Sequence, residues 1–373
     1  MARAFPVGRV VDPADIVDRE DFIREVKQRL LDGNSLMIAG ARRIGKSSLA
    51  REVLRQLREE GAYTAQVDLF YVASIEEMAA KLVHSLLENR VGVMAQVSRA
   101  MEGIRKLLSR GEIRAKVHDL ELGLTFGDHS QDPVALLENA IQLAERLGER
   151  DNKRVVVLLD EFQELERLGG EMLFKRLRAL FQEQTHAVYL FLGSHTTLMQ
   201  AIFADRRQAF YRFATLMSMP PIPEAAWKAY IFRRFEEHRM SMSDTGFRML
   251  YERTGGHPYC MMAVSYNALV HAALEGLTNI NAEVVDYAYE QTLAQLEAVY
   301  DGQWQELHRF KHADAVLMAL VEGKRPYSLS IGRSNVTKAI DDLLRLSVIE
   351  RKSRGEYALV EPMFGEWLRR KLR

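Results

Sequence analysis

Residues Ser35–Glu60 read SLMIAGARRIGKSSLAREVLRQLREE. Within them Gly40, Gly45, Lys46 and Ser47 fall on the G-x-x-x-x-G-K-[ST] spacing of a phosphate-binding loop. The flanks agree with the pattern. Leu36–Ala39 is a short apolar run, read as a buried strand, and after the loop Leu49, Val53, Leu54 and Leu57 recur at helical spacing. Strand, loop and helix in that order are what phosphate binding needs. Glycines let backbone N–H groups close around phosphate oxygens, and a helix N-terminus adds partial positive charge. The spacing therefore predicts a triphosphate cradle made of Gly40, Ala41, Arg42, Arg43, Ile44, Gly45, Lys46, Ser47 and Ser48. Lys46 would reach the β- and γ-phosphates, and the Ser47 hydroxyl would bind Mg²⁺.

A second stretch completes this reading. Arg154–Glu164, RVVVLLDEFQE, is a β-branched run ending in two carboxylates. Such a run suits a central parallel strand covered on both faces. Asp160 then falls at its carboxyl end, where open α/β sheets bind ligands. Asp160 is expected in the Mg²⁺ shell and Glu161 as the base acting on the attacking water. An acidic start to the following helix is the plainer reading of the same pair. A glutamate directly after the aspartate argues for hydrolysis over kinase-like transfer.

The composition excludes several classes. With 373 residues, two or three domains are expected. The 51 basic and 51 acidic side chains cancel, so overall charge points to neither nucleic acid nor membrane. Cys260 is the only cysteine, so no intramolecular disulfide can form, which fits a reducing cytosol. The first residues lack the apolar core of a signal peptide, and no uncharged apolar stretch approaches a membrane span. A cytoplasmic protein without a membrane partner is expected.

Taken in order, the chain begins with a Pro-punctuated segment and an amphipathic helix over Asp21–Leu31. Tyr63–Phe70 reads as a second strand, and Ser74–Asn89 as a helix opened by a Ser74/Glu77 capping box. Residues 91–130 form an insertion, with a helix at Val93–Leu108 and an alternating hairpin-like stretch at Glu112–Phe126. This insertion is either a partner surface or plain structure. Another helix runs from Asp132-Pro133 to Leu147, and Ala187–Gly193 is a further buried strand followed by Ser194. Ser194 is a sensor of the γ-phosphate or water, or else a helix cap. Ala214–Met219 suits a fifth strand, closed by Pro220, Pro221 and Pro223. Arg212, just before it, has the fixed planar charge of an arginine finger, with a surface salt bridge as the alternative.

From Glu224 to about Tyr300 every periodicity is helical, broken at Thr254-Gly255-Gly256-His257-Pro258. His257 either faces the nucleotide or merely shapes the turn. Residues 308–373 then change character: two helices and a hairpin with Arg354-Gly355 at its tip, carrying 14 basic and 8 acidic side chains. That is the pattern of a winged helix. Arg351, Lys352 and Arg354 flank the tip, where a wing touches phosphates, whereas Asp341-Asp342 on the second helix argue against base readout. DNA contact and protein contact both stay open. The expected architecture is an α/β P-loop core over 1–222, a helical lid over 223–305 and a winged helix over 306–373.

With these pieces in view, the chain resembles the archaeal-type P-loop ATPases of the AAA+/STAND group. The resemblance rests on IVDRED, GARRIGKSSL, VDLF, VVVLLDEFQEL, FLGSHTTLM, TGGHPY and YALVEPMFGEWLRR, and so covers nearly the whole chain. It implies Mg²⁺-ATP on Gly40–Ser48, Asp160 and Glu161 as the Walker B pair, Ser194 near sensor 1, and Val7–Val17 near the adenine. Two features depart from AAA+ initiators. Gly256-His257-Pro258 stands where those carry a sensor-2 arginine, and Tyr211-Arg212-Phe213 matches their finger box only in its arginine and phenylalanine. The function expected is an ATP-hydrolysing switch that binds ATP and ADP and acts on a protein partner. A DNA-binding initiator or transposition helper, a scaffold with negligible turnover, and a homo-oligomeric state remain open beside it.

Overall fold

The computed structural model describes residues 4–88, 115–117, 120–122, 132–194, 196–353 and 355–372. The helix expected over Val93–Leu108, His195 and Arg354 lie outside the described residues. The elements run α1 (Glu20–Leu31), β1 (Leu36–Ala39), α2 (Lys46–Glu59), β2 (Tyr63–Asp68), α3 (Ile75–Glu88), β3 (Ala115–Val117) and β4 (Leu120–Leu122). They continue with α4 (Pro133–Asp151), β5 (Val155–Asp160), α5 (Leu165–Glu183), β6 (Ala187–Gly193), α6 (Thr196–Ala204) and β7 (Thr215–Ser218). Then follow α7 (Glu224–Glu237), β8 (Ser241–Met242), α8 (Asp244–Thr254), α9 (Pro258–Glu275), β9 (Asn279–Ile280) and α10 (Ala282–Leu307). The chain closes with α11 (Ala313–Val321), α12 (Arg333–Arg345), β10 (Ile349–Ser353), β11 (Glu356–Leu359) and α13 (Pro362–Lys371).

Five strands form one parallel sheet in the order β2-β5-β6-β1-β7. Because β6 lies between β1 and β5, the carboxyl ends of these three strands meet at one edge. The strands are apolar on both faces because helices cover both. Val155, Val157 and Leu159 of β5 enter the core under α3, α4 and α5, while Val156 and Leu158 face α1 and α2. Likewise Tyr189 and Phe191 of β6 point one way and Leu190 and Leu192 the other. Each such side chain contributes roughly 1.5–3 kcal/mol on burial, so the sheet's register, and with it the edge geometry, is strongly fixed.

The helices from Glu224 to the end share a separate core. Trp227 and Phe235 of α7, Leu250 of α8, Tyr300 of α10 and Phe364 and Trp367 of α13 belong to one cluster, joined by Phe5 and Val17 from the start of the chain. Helix α10 runs to Leu307, since Tyr300, Trp304 and Leu307 extend its buried stripe. The expected division at 305 therefore falls in its last turn. The all-helical reading of this region also needs correction, because β8 and β9 pair in parallel, tying the turn after α7 to the start of α10. At Ser74 the reciprocal cap is shifted: Ser74 Oγ accepts the Glu77 N–H, but Glu77 Oε2 takes the N–H of Ala73. Within the alternating stretch, the described residues Ala115–Val117 and Leu120–Leu122 pair antiparallel as β3 and β4, and the rest lies outside the described residues. Among the described residues no helix is long and apolar enough to cross a membrane.

Candidate functional site

The loop after β1 is shaped by Gly45, whose φ of 98° is closed to most side chains without strain. It delivers Lys46 to the first turn of α2. The Lys46 ammonium is buried and donates to the carbonyls of Gly40 and Ala41, each at 2.7 Å. Burial lowers its pKa to about 8, against the opposing pull of Glu161 and Asp160. Ser47 Oγ donates to Asp160 Oδ2 at 2.7 Å, joining the loop to the end of β5. Burial raises the Asp160 carboxyl, although the Ser47 hydrogen bond works against it.

Glu161 turns the chain sharply, with φ 52° and ψ 47°. Non-glycine residues seldom hold this conformation unless their surroundings enforce it. Here the neighbouring strand does so: Glu161 Oε2 accepts from the Ser194 N–H at 3.0 Å, from Ser194 Oγ at 2.8 Å and from Gln163 Nε2. Burial pushes this carboxyl up, but the hydrogen bonds from Gln163 and Ser194 outweigh burial and hold it below the ordinary glutamate range. Ser194 is fully buried at the end of β6. A Cβ on Gly193 would stand 2.3 Å from Met199 Cγ and 2.7 Å from Gln163 Oε1, so glycine lets β6 pass this close to Met199 and Gln163. Lys46, Ser47, Asp160, Glu161 and Ser194, singled out separately in the sequence, thus converge at one edge.

Beside them opens a cavity of about 520 Å³ lined by Arg42–Leu49, by Val10, Val11 and Val17 of the opening segment, and by Trp227, Tyr259 and Met262 of the helical body. Its size and mixed lining suit a nucleotide. The opening segment is strapped down: the Val11 N–H donates to Ser48 Oγ, and the Tyr230 hydroxyl to Asp15. Arg19, buried among these groups, keeps one guanidinium nitrogen without a partner. Sequence reading passed over Arg19 and Gln163. Each stands among other polar side chains, Asp18 and Glu20 for Arg19 and Glu161 and Glu164 for Gln163, so no local signal marks its burial.

His257 caps α9 without a side-chain hydrogen bond. It is buried, and both ring nitrogens lack partners. Burial, with Arg43 nearby, lowers its pKa to about 4. The unfolded chain, with an ordinary histidine pKa near 6.5, takes up the proton first as pH falls. Stability is therefore whole above about pH 6.5 and is lost as pH drops toward 4. Between pH 6.5 and 4.5 this one group is expected to cost about 2–3 kcal/mol. Urea unfolding of wild type and His257→Gln at both pH values checks this: the variant should lose less stability on acidification by that amount.

Arg212 does not join the cluster. It is exposed at the amino end of β7, with φ 54° and its guanidinium over the Tyr211 ring. There it lines a different cavity with Ser35, Arg178 and Ala187, at the strand ends opposite the phosphate loop. Its own loop is beyond its reach across the sheet.

A parallel sheet with β6 between β1 and β5, and with this loop and acidic pair at its carboxyl edge, defines a P-loop ATPase with an AAA+-like core. The chain belongs to the family described as the ATPase domain predominantly from Archaea, whose model matches residues 16–264. Among solved structures it is similar to a Walker-type ATPase of Pyrococcus abyssi, with TM-score 0.72 and 19% identity over 98% of this chain and 99% of that one. It is also similar to the ORC2 protein of Aeropyrum pernix in its ADPNP-ADP complexes, with TM-score 0.58 and 15% identity over 99% and 100% of the two chains. The ORC1 protein of the same organism, solved in complex with DNA, gives TM-score 0.51 and 16% identity over 96% and 94%. No curated protein matches the chain by sequence.

Proposed function

We propose that the chain is an Mg²⁺-dependent, ATP-hydrolysing switch of the AAA+/STAND kind, in which the nucleotide governs how the helical body sits on the sheet. The observation that carries this is the convergence of Ser47, Asp160, Glu161 and Ser194 around the loop. Ser47 and Asp160 offer oxygen donors alone, as Mg²⁺ prefers, and would hold the ion, which when bound offsets phosphate charge. Lys46 binds phosphate. Glu161 takes the proton of the attacking water, and Ser194 sets the position of Glu161. The hydrogen bonds from Ser194 and Gln163 all fall on Glu161 Oε2, which leaves Oε1 to take the proton. Arg212 faces away from this site, so a finger role for it requires a second copy of the chain in a homo-oligomer.

In this reading residues 1–222 are the ATPase core, 223–305 the lid and 306–373 a winged helix, in a cytoplasmic protein that passes nucleotide state to a protein partner. Calorimetric titration with ATP in Mg²⁺ and in EDTA tests it. Mg²⁺ should tighten binding in the wild type, and Asp160→Asn should lose that increment. Equal binding in both media would overturn the metal assignment.

A DNA-contacting role is the second reading, supported by the basic excess of residues 308–373 and by the fold shared with an ORC1 protein solved on DNA. Weighing against it, Lys352 pairs with Glu350 and Arg351 lies over Tyr357, both along a cleft that faces Gly40 and Ala41. Retention of DNA at low salt, declining steeply as salt rises, would favour it.

A further inference from the structure

Glu361 immediately precedes α13, and its carboxylate reaches back to the phosphate loop. Arg43 Nη1 lies 3.4 Å from Glu361 Oε2, and the Arg43 guanidinium stands 4.6 Å over the Tyr259 ring. The other carboxylate oxygen accepts the Tyr300 hydroxyl. Arg43 and Tyr259 both line the nucleotide cavity, while Glu361 stands outside it. The Arg43 backbone is in the left-handed region, φ 66°, so its side chain is presented by a constrained loop. The Glu361 side chain is 16% exposed and that of Arg43 is 39% exposed, so the carboxylate is held in place while the guanidinium keeps access to solvent and to the cavity.

The same part of the chain makes a second contact. Ser347 Oγ donates to the Ser194 carbonyl at 2.6 Å, and Ser194 is the residue that holds Glu161. The helical body therefore touches the site at the loop and at the sensor strand. Its core is separate from the cores of the sheet. Between them, one guanidinium faces two claims: a carboxylate already in place and the phosphates of an incoming nucleotide.

We propose that Glu361 is a specificity-determining residue which competes with the nucleotide for Arg43, so that it weakens ATP binding more than ADP binding. The physical reason is charge. A triphosphate carries more negative charge than a diphosphate and draws Arg43 more strongly. The ground lost to Glu361 is therefore larger for ATP, and by reciprocity bound ATP loosens the Arg43–Glu361 tie. Glu361 needs no contact with the nucleotide and acts through Arg43. Glu361→Gln keeps the shape and an acceptor for Tyr300 while removing the charge that holds Arg43.

This rests on the nucleotide reading of the cavity. The test is calorimetric titration of the full chain with ADP and with a non-hydrolysable ATP analogue, in wild type, Glu361→Gln, Arg43→Ala and the double variant. Glu361→Gln should tighten the ATP analogue about five-fold, the low end for coupling between two sites, and change ADP less than two-fold. In the Arg43→Ala background the same substitution should change neither. Unmoved affinities in Glu361→Gln, equal gains for both nucleotides, or a gain that persists without Arg43 would each overturn the inference alone. Wild-type protein that binds neither nucleotide would overturn the nucleotide reading as well.

Discussion

Glu161→Gln is expected to bind Mg²⁺-ATP at least as tightly as wild type and to hydrolyse it roughly 10²–10⁴-fold more slowly, the usual worth of a positioned general base. The separation of the two effects follows from the geometry. Glu161 acts on water and makes none of the loop's hydrogen bonds, so its loss spares the bound ground state. A glutamine carbonyl can still accept from the Ser194 N–H and hydroxyl, which now hold Glu161 Oε2. The turn at φ 52° thus keeps its anchor. Removing a negative charge close to the triphosphate also favours binding. Phosphate release and equilibrium titration on the same preparation check both halves. Hydrolysis at the wild-type rate would mean that the base lies elsewhere.

Lys46→Ala should do the reverse and sharply weaken binding itself. The ammonium sits within the loop on the Gly40 and Ala41 carbonyls, poised at the position where phosphates gather. A charge-assisted hydrogen bond lost from such a site costs about 1.5–3 kcal/mol, so ATP affinity should fall roughly 10–150-fold. The fold should persist, because the core of α2 is made by Leu49, Val53, Leu54 and Leu57 on its other face. Circular dichroism unchanged beside a titration that saturates only at roughly 10–150-fold higher ATP is the expected pair of results. Wild-type affinity in this variant would remove the loop from the account.

The parts of this molecule that were legible in the sequence are those where one local rule decides. β1 and β6 have the bounds that their apolar runs predict, because a strand covered on both faces admits few polar residues. The loop, Asp160 and Glu161 were legible since phosphate and metal chemistry restrict both residue type and spacing. Contacts across the chain were not. Nothing local to Ser347 or Glu361 announces that one reaches Ser194 and the other Arg43, over separations of 153 and 318 residues. The capping of Ser74 by a shifted pair and the run of α10 to Leu307 were missed for a related reason. Each depends on what packs against the helix, not on its own periodicity. For Arg212 the residue type was legible but its place was not: it stands at the far edge from its own phosphate loop, which only the sheet topology reveals.

Phosphate release by the purified wild-type chain, followed with ATP in Mg²⁺ and again in EDTA, tests the hydrolytic switch most directly. The arrangement of Ser47, Asp160 and Glu161 predicts steady release that requires Mg²⁺ and continues well beyond one equivalent per chain. ATP bound tightly in Mg²⁺ without release beyond background would contradict it, and would make the chain a nucleotide-bound scaffold.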